Sequence, residues 1–245
     1  MERRKFLANT TVAGIALASA GIQEVVARPP KEKKSAQQIT TKNYKITVPE
    51  DGVIPVAVAV SQGVTVIDFA GPWEVFQDVF FDKNGKHHMP FKLYTVSEKT
   101  EPLRGSAGLR IVPDYTFENA PAPKVIVIPA QVGSTALHDW LRKVVPGTDV
   151  TMSVCTGAFQ LAKAGLLTGK TVTTHHKFTD RLAQQYPDII VKTGLRFVEG
   201  EKISTAGGLT SGIDLALRVV ERYFGRDIAE KTAVYMEYQS KGWIA

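Results

Sequence analysis

Cysteine is nearly absent from this sequence: Cys155 is the only one in 245 residues. A single thiol excludes an intramolecular disulfide and any zinc site built on cysteine pairs. Pairing between chains and oxidation remain as its redox chemistry. Long hydrophobic runs are also missing. The apolar, small-residue stretch over residues 11–20 falls short of the roughly 20 residues that span a bilayer. The formal charge of +6 is mild, and much of it sits in the leader and in Lys31-Glu32-Lys33-Lys34. No stretch interleaves Arg and Lys with aromatics, so no nucleic-acid partner is expected. No His, Cys and carboxylate set has ligand spacing, so neither a metal nor another cofactor is expected. There is no internal repeat and no sign of a second domain, and with Ala245 as the last residue no appended helix-turn-helix module is expected.

What is present begins with the leader. Arg3-Arg4 is followed by Lys5-Phe6-Leu7 and then by the modest apolar stretch. This is the pattern of a twin-arginine export signal, expected over residues 1–27 and cleaved after Ala20 or Ala27. The expected location is the bacterial periplasm, with no membrane attachment after cleavage. Residues 28–45 are polar, proline-containing and aperiodic, and read as a disordered linker. Residues 46–245 are left as a single domain. With 44% hydrophobic residues, the chain has the composition of a globular protein with a full core.

Within that domain, apolar runs alternate with helical patterns. Residues 53–60, 91–97, 124–129 and 150–154 read as strands, the continuous ones being buried on both faces. Residues 71–81 suit a helix opened by Gly71-Pro72, since proline is tolerated in a first turn. Further helices are expected over 134–145, 159–164, 178–186, 208–224 and 228–238. Shorter strands are expected over 109–112, 171–174, 189–191 and 196–205, the last region with a hairpin signal at Glu199-Gly200-Glu201. The alternation predicts an α/β fold: a doubly wound, mostly parallel sheet with helices on both faces. Reactive groups in such sheets lie at the carboxyl ends of the strands.

Cys155 falls at such an end. The run Ser153-Val154-Cys155-Thr156-Gly157-Ala158 carries a strand into a small-residue turn and then a helix, which is the geometry of a nucleophile elbow. A helix dipole behind the thiol would favour the thiolate. Three further candidates occupy loop positions. Asp68, after Thr65-Val66-Ile67, is either a helix N-cap or a site acid whose pKa an apolar pocket would raise. Glu74 sits six residues on, inside the helix or at the pocket rim. His175 lies twenty residues after Cys155, and two adjacent parallel strands would bring it to the thiol, with His176 as its neighbour. Gly207-Gly208 would let backbone approach the pocket. His87-His88 falls in a polar, solvated loop after Asn84-Gly85.

Taken together, Asp68-x-x-Gly71-Pro72-x-Glu74-Val75-Phe76, Ser153 to Ala158, Thr173-Thr174-His175 and Ala206-Gly207-x-x-x-Gly212-Ile213-Asp214 resemble the motifs of the ThiJ/PfpI superfamily. The resemblance covers residues 53–240. It is greatest to the branch that holds isonitrile hydratase and the sensor domains of AraC-type regulators. It implies a flavodoxin-like fold related to class I glutamine amidotransferases, and a homodimer. It also implies a reactive Cys155 paired with the acid Asp68, with Thr156 beside the thiol and His175 nearby. Gly71, Ala130, Gln131, Gly157, His176 and Gly207 would border a small-molecule pocket. Peptidase-like members carry a histidine directly after the cysteine; Thr156 stands there instead. Many relatives carry a glycine pair where this chain has Ala130-Gln131, and a tryptophan where it has His176.

Two functions follow from these residues. In one, the Cys155 thiolate attacks an electrophilic carbon while Asp68 shuttles the proton. In the other, the domain binds a small ligand or senses oxidant through Cys155 without turnover.

Overall fold

The computed structural model describes residues 44–83 and 85–244. The expected export signal, and the linker up to residue 43, lie outside the described residues. Among those residues, no helix is long and apolar enough to cross a membrane.

The domain opens with β1 (Ile54–Ala59) and α1 (Val66–Gln77), followed by a hairpin of β2 (Phe81–Lys83) and β3 (Lys86–His88). Next come β4 (Phe91–Ser97), the small pair β5 (Leu103–Arg104) and β6 (Arg110–Ile111), and β7 (Tyr115–Thr116). β8 (Val125–Ile128) leads to α2 (Thr135–Val144). β9 (Val150–Ser153) leads to α3 (Ala158–Lys163), and β10 (Thr171–Val172) to α4 (Thr179–Gln185). β11 (Ile190–Val191), the hairpin of β12 (Phe197–Val198) and β13 (Ile203–Ala206), α5 (Ser211–Phe224) and α6 (Arg226–Tyr235) complete the order.

Seven strands form one sheet in the order β12-β13-β9-β8-β1-β4-β7. Every neighbouring pair is parallel except the β12–β13 hairpin. Strand alternation sorts side chains to two faces. Val56 and Val58 of β1 join Val75, Phe76, Leu215 and Val219 under α1 and α5, whereas Ala57 and Ala59 join Leu137, Leu141 and Leu161 under α2 and α3. Both faces of the sheet are therefore covered, as its near-continuous Val/Ile strands require.

Three elements differ from the sequence reading. α1 starts at Val66 rather than Gly71, so Pro72 lies inside it and cannot donate to the Asp68 carbonyl. Tertiary bonds force the earlier start: the Thr65 N–H reaches the Ala130 carbonyl at 2.8 Å, and the Val66 N–H reaches Ser106 Oγ at 3.1 Å. Gly71 serves the crossing of α1 with α5, because a Cβ there would lie 2.8 Å from Ile213 Cγ1. Second, β10 is not the sheet neighbour of β9; it pairs with β11 outside the main sheet, since β13 takes the free edge of β9. Third, His87 and His88 lie on β3, not in a loop, with His88 against the Phe81 ring.

Candidate functional site

The chain leaves β9 at the carboxyl edge of the sheet and turns at once. Cys155 has φ +59°, a left-handed conformation that costs a non-glycine residue about 1 kcal/mol. The turn is fixed on both sides. The Cys155 N–H donates to the Gly207 carbonyl at 2.7 Å, and Thr174 Oγ1 donates to the Cys155 carbonyl at 2.7 Å. Gly157 completes it: a Cβ there would lie 2.0 Å from the Ile128 carbonyl oxygen, so the return into α3 passes against the end of β8 with room for hydrogen alone. The thiol is 7% exposed.

Asp68 approaches from the first turn of α1 and is fully buried. It does not cap the helix; that position belongs to Thr65. Its Oδ2 accepts the Ala130 N–H at 3.1 Å, from the loop after β8. Oδ1 makes no complete hydrogen bond, yet the Cys155 thiol and the Leu209 N–H are close enough to bias its ionisation. Burial dominates, and the carboxyl is pushed from 3.8 up to about 6 despite the Ala130, Cys155 and Leu209 groups that favour the anion.

The thiol is not the poised thiolate the sequence suggested. Burial first, and then the Asp68 charge, push Cys155 up to about 11; the Thr156 N–H and hydroxyl oppose this without reversing it. The helix behind the elbow is a turn of 3-10 helix and then only six residues, and no cation stands among the groups that shift the thiol. Near neutral pH the pair is therefore a neutral thiol facing a carboxylate. One proton is held between a sulfur and an oxygen from different elements.

Thr156 is the third member, beside the sulfur through both its N–H and its side chain. Ala130 and Gly207 touch the pair through backbone bonds. His175 is not a hydrogen-bond or charge partner of the thiol. Its ring packs on Gly208, where a Cβ would lie 2.3 Å from Cδ2, and stacks on the exposed His176 at 4.4 Å. Partial burial, with His176 and Lys177 beside it, holds His175 below the usual imidazole value. The separate β10–β11 sheet explains the separation: Thr174, not His175, reaches the elbow. The Gln131 side chain turns inward and donates to the Ala59 carbonyl at 2.8 Å. Among the described residues, no group of three or more His, Cys, Asp and Glu side chains could hold a metal ion.

Two contributors escaped the sequence reading. Leu209, at φ +55°, presents its N–H toward Asp68, and nothing in a leucine signals a left-handed turn. Gln160 is 3% exposed on α3 and binds the Gln131 and Val132 carbonyls at 3.0 and 3.3 Å. Its signal was a polar residue between the apolar Phe159 and Leu161.

The chain is similar to known proteins in sequence and fold. The model of the DJ-1/PfpI family matches residues 55–222. An isonitrile hydratase from Pseudomonas putida is 31% identical over 185 residues, covering 71% of this chain and 74% of that protein. An HTH-type transcriptional regulator from Pseudomonas aeruginosa is 28% identical over 151 residues; the match covers 60% of this chain but only 45% of the regulator. Among solved structures, a ThiJ/PfpI family protein from Pseudomonas syringae superposes with a TM-score of 0.66 at 28% identity, covering 77% of this chain and 76% of that one.

Proposed function

This chain belongs to the DJ-1/PfpI family, and on that premise we propose that it is a cysteine-dependent enzyme acting on a small electrophile, in the manner of an isonitrile hydratase. The observation that carries the reading is the buried Asp68 carboxyl set against the Cys155 thiol at a strained elbow. Similarity to the Pseudomonas putida isonitrile hydratase supports the substrate class.

For an isonitrile the steps balance as follows. Cys155 Sγ forms a bond to the terminal carbon while Asp68 takes the thiol proton and passes it to that carbon, giving a thioimidate. Asp68, again a carboxylate, deprotonates a water that adds to the same carbon, and the proton goes to nitrogen. The C–S bond then breaks as the new hydroxyl becomes the formamide carbonyl, its proton passes through Asp68 to the sulfur, and an N-substituted formamide leaves. The Thr156 hydroxyl and N–H steady the sulfur as charge develops on it.

Two further properties accompany this reading. The Arg3-Arg4 leader supports export to the periplasm, and the family supports a homodimer; cell fractionation and light scattering test them. The enzyme reading is tested by assaying formamide release from simple isonitriles. Cys155→Ala should abolish turnover, and Asp68→Asn should lower it by about 10²–10⁴-fold. Full activity in either variant contradicts the mechanism. Saturable isonitrile binding without turnover in the wild type would favour the second reading, a small-ligand-binding or redox-sensing domain. The match to a transcriptional regulator supports that alternative.

A further inference from the structure

The Asp68-binding loop and α3, the helix behind the nucleophile elbow, are tied together by one side chain. The loop of residues 130–133 stands where the sequence departs from the glycine pair of many relatives. On its outer side it is held by the chain before α1: the Val132 N–H donates to the Gln62 carbonyl at 3.1 Å, and the Gly133 N–H to Ser61 Oγ at 3.0 Å. On its inner side stands Gln160, five residues after Cys155. Its Nε2 donates to both the Gln131 and Val132 carbonyls. Those two acceptors fix the amide orientation, so Oε1 faces His138 Nε2 at 2.9 Å, and that nitrogen must carry a proton. Gly133 makes room for the amide. At φ +76°, a Cβ on it would lie 2.1 Å from Gln160 Oε1.

From this arrangement we infer that Gln160 is a positioning residue: it clamps the 130–133 loop so that the Ala130 N–H stays on Asp68 Oδ2, and thereby sets the protonation state of the Asp68–Cys155 pair. The loop's carbonyls at 131 and 132 face the amide. One peptide unit separates them from the Ala130 N–H, and its Ala130 carbonyl is held by the Thr65 N–H at 2.8 Å; with the 131 and 132 carbonyls released, that bond is left to hold the unit alone, and the Ala130 N–H shifts with it. The consequence for turnover rests on the reading in the previous subsection; the effect on Asp68 does not.

The groups that face each partner are few. Cys155 is the titratable neighbour of Asp68, with the Ala130 and Leu209 backbone. His138 is the titratable neighbour of Gln160, and Arg142 of the same helix binds the Ala164 carbonyl at 3.5 Å.

The test is a pH titration of the Asp68 carboxyl by infrared difference spectroscopy, with Asp68→Asn as the subtraction control. Wild type, Gln160→Met (which keeps the volume and removes both donors) and Gly133→Ala (which displaces the amide from the loop side) are compared, with thermal melts alongside. The midpoint of about 6 in the wild type should rise by about one pH unit or more in both variants, because Asp68 loses a donor to its anion. If turnover is measurable, the acid limb of kcat should shift with it while KM changes little. A lowered melting temperature with an unmoved Asp68 midpoint would overturn the inference and leave Gln160 a packing residue. A moved midpoint in a protein that turns over no isonitrile would uphold the clamp and count against the proposed activity.

Discussion

At the scale of single residues, one carboxyl and one thiol have ionisations that oppose each other. Turnover needs Asp68 ionised and Cys155 protonated, so its pH profile should be a bell with limbs near 6 and 11, read from kcat/KM across pH 5–12. The same burial has a stability consequence. The folded value of Asp68 lies above 3.8, so the native state holds a proton between about pH 4 and 6 that the unfolded chain has already lost. Its contribution is complete below about pH 4 and is lost as pH rises through 6. Asp68→Asn should therefore stabilise the protein by about 1–3 kcal/mol at pH 7–8 and leave stability at pH 4 nearly unchanged, measured by denaturant unfolding at both pH values. A variant less stable than wild type at pH 8 would contradict the buried-anion picture.

At the scale of elements, what was legible in the sequence was what local pattern determines. The Val/Ile strands, the elbow at Cys155 and the hairpin at Glu199-Gly200-Glu201 each follow from a few neighbouring residues. The start of α1 did not, because Val66 and Ile67 are β-branched and their helical state is imposed by bonds from Ala130 and Ser106, far along the chain. The same limit applies to the site. Asp68 and Cys155 announced themselves by residue type and turn context. The placement of His175 depended on which strand took the edge of β9, a question of long-range pairing that the spacing of twenty residues does not answer. The elbow itself gives a sharp prediction. Gly157→Ala forces a methyl to within 2.0 Å of the Ile128 carbonyl oxygen, which is backbone and cannot swing away. It should cost about 2–4 kcal/mol by chemical denaturation and abolish activity. Gly85→Ala, where a Cβ meets nothing within 4 Å, should show only the smaller penalty of its positive φ.

At the scale of the whole molecule, the last residue of the fourth sequence motif, Asp214, ties the C-terminal segment to the domain. Asp214 on α5 is fully buried. It is paired with Arg196 and accepts from Tyr238 Oη at 3.1 Å and Ser240 Oγ at 3.2 Å, which fastens the C-terminal segment over the start of α5. Arg196 also reaches Thr210, next to the Leu209 turn that faces Asp68. Asp214→Ala removes the acceptor of Tyr238 and Ser240 while the partly exposed Arg196 keeps solvent and Thr210, and should destabilise the domain by about 1–3 kcal/mol, read as a drop in denaturation midpoint. Each of these supports serves one central claim, that Asp68 and Cys155 act as a single proton-sharing unit. The direct test is pH-dependent alkylation of Cys155 followed by mass spectrometry, in wild type and Asp68→Asn. The wild-type thiol should be slow to react at pH 7, with a midpoint near 11, and removing the Asp68 charge should move that midpoint down, while burial still holds it above the free-cysteine value of about 8.5. A midpoint that Asp68→Asn leaves in place would mean the two groups do not share a proton, and the mechanism built on them would fail.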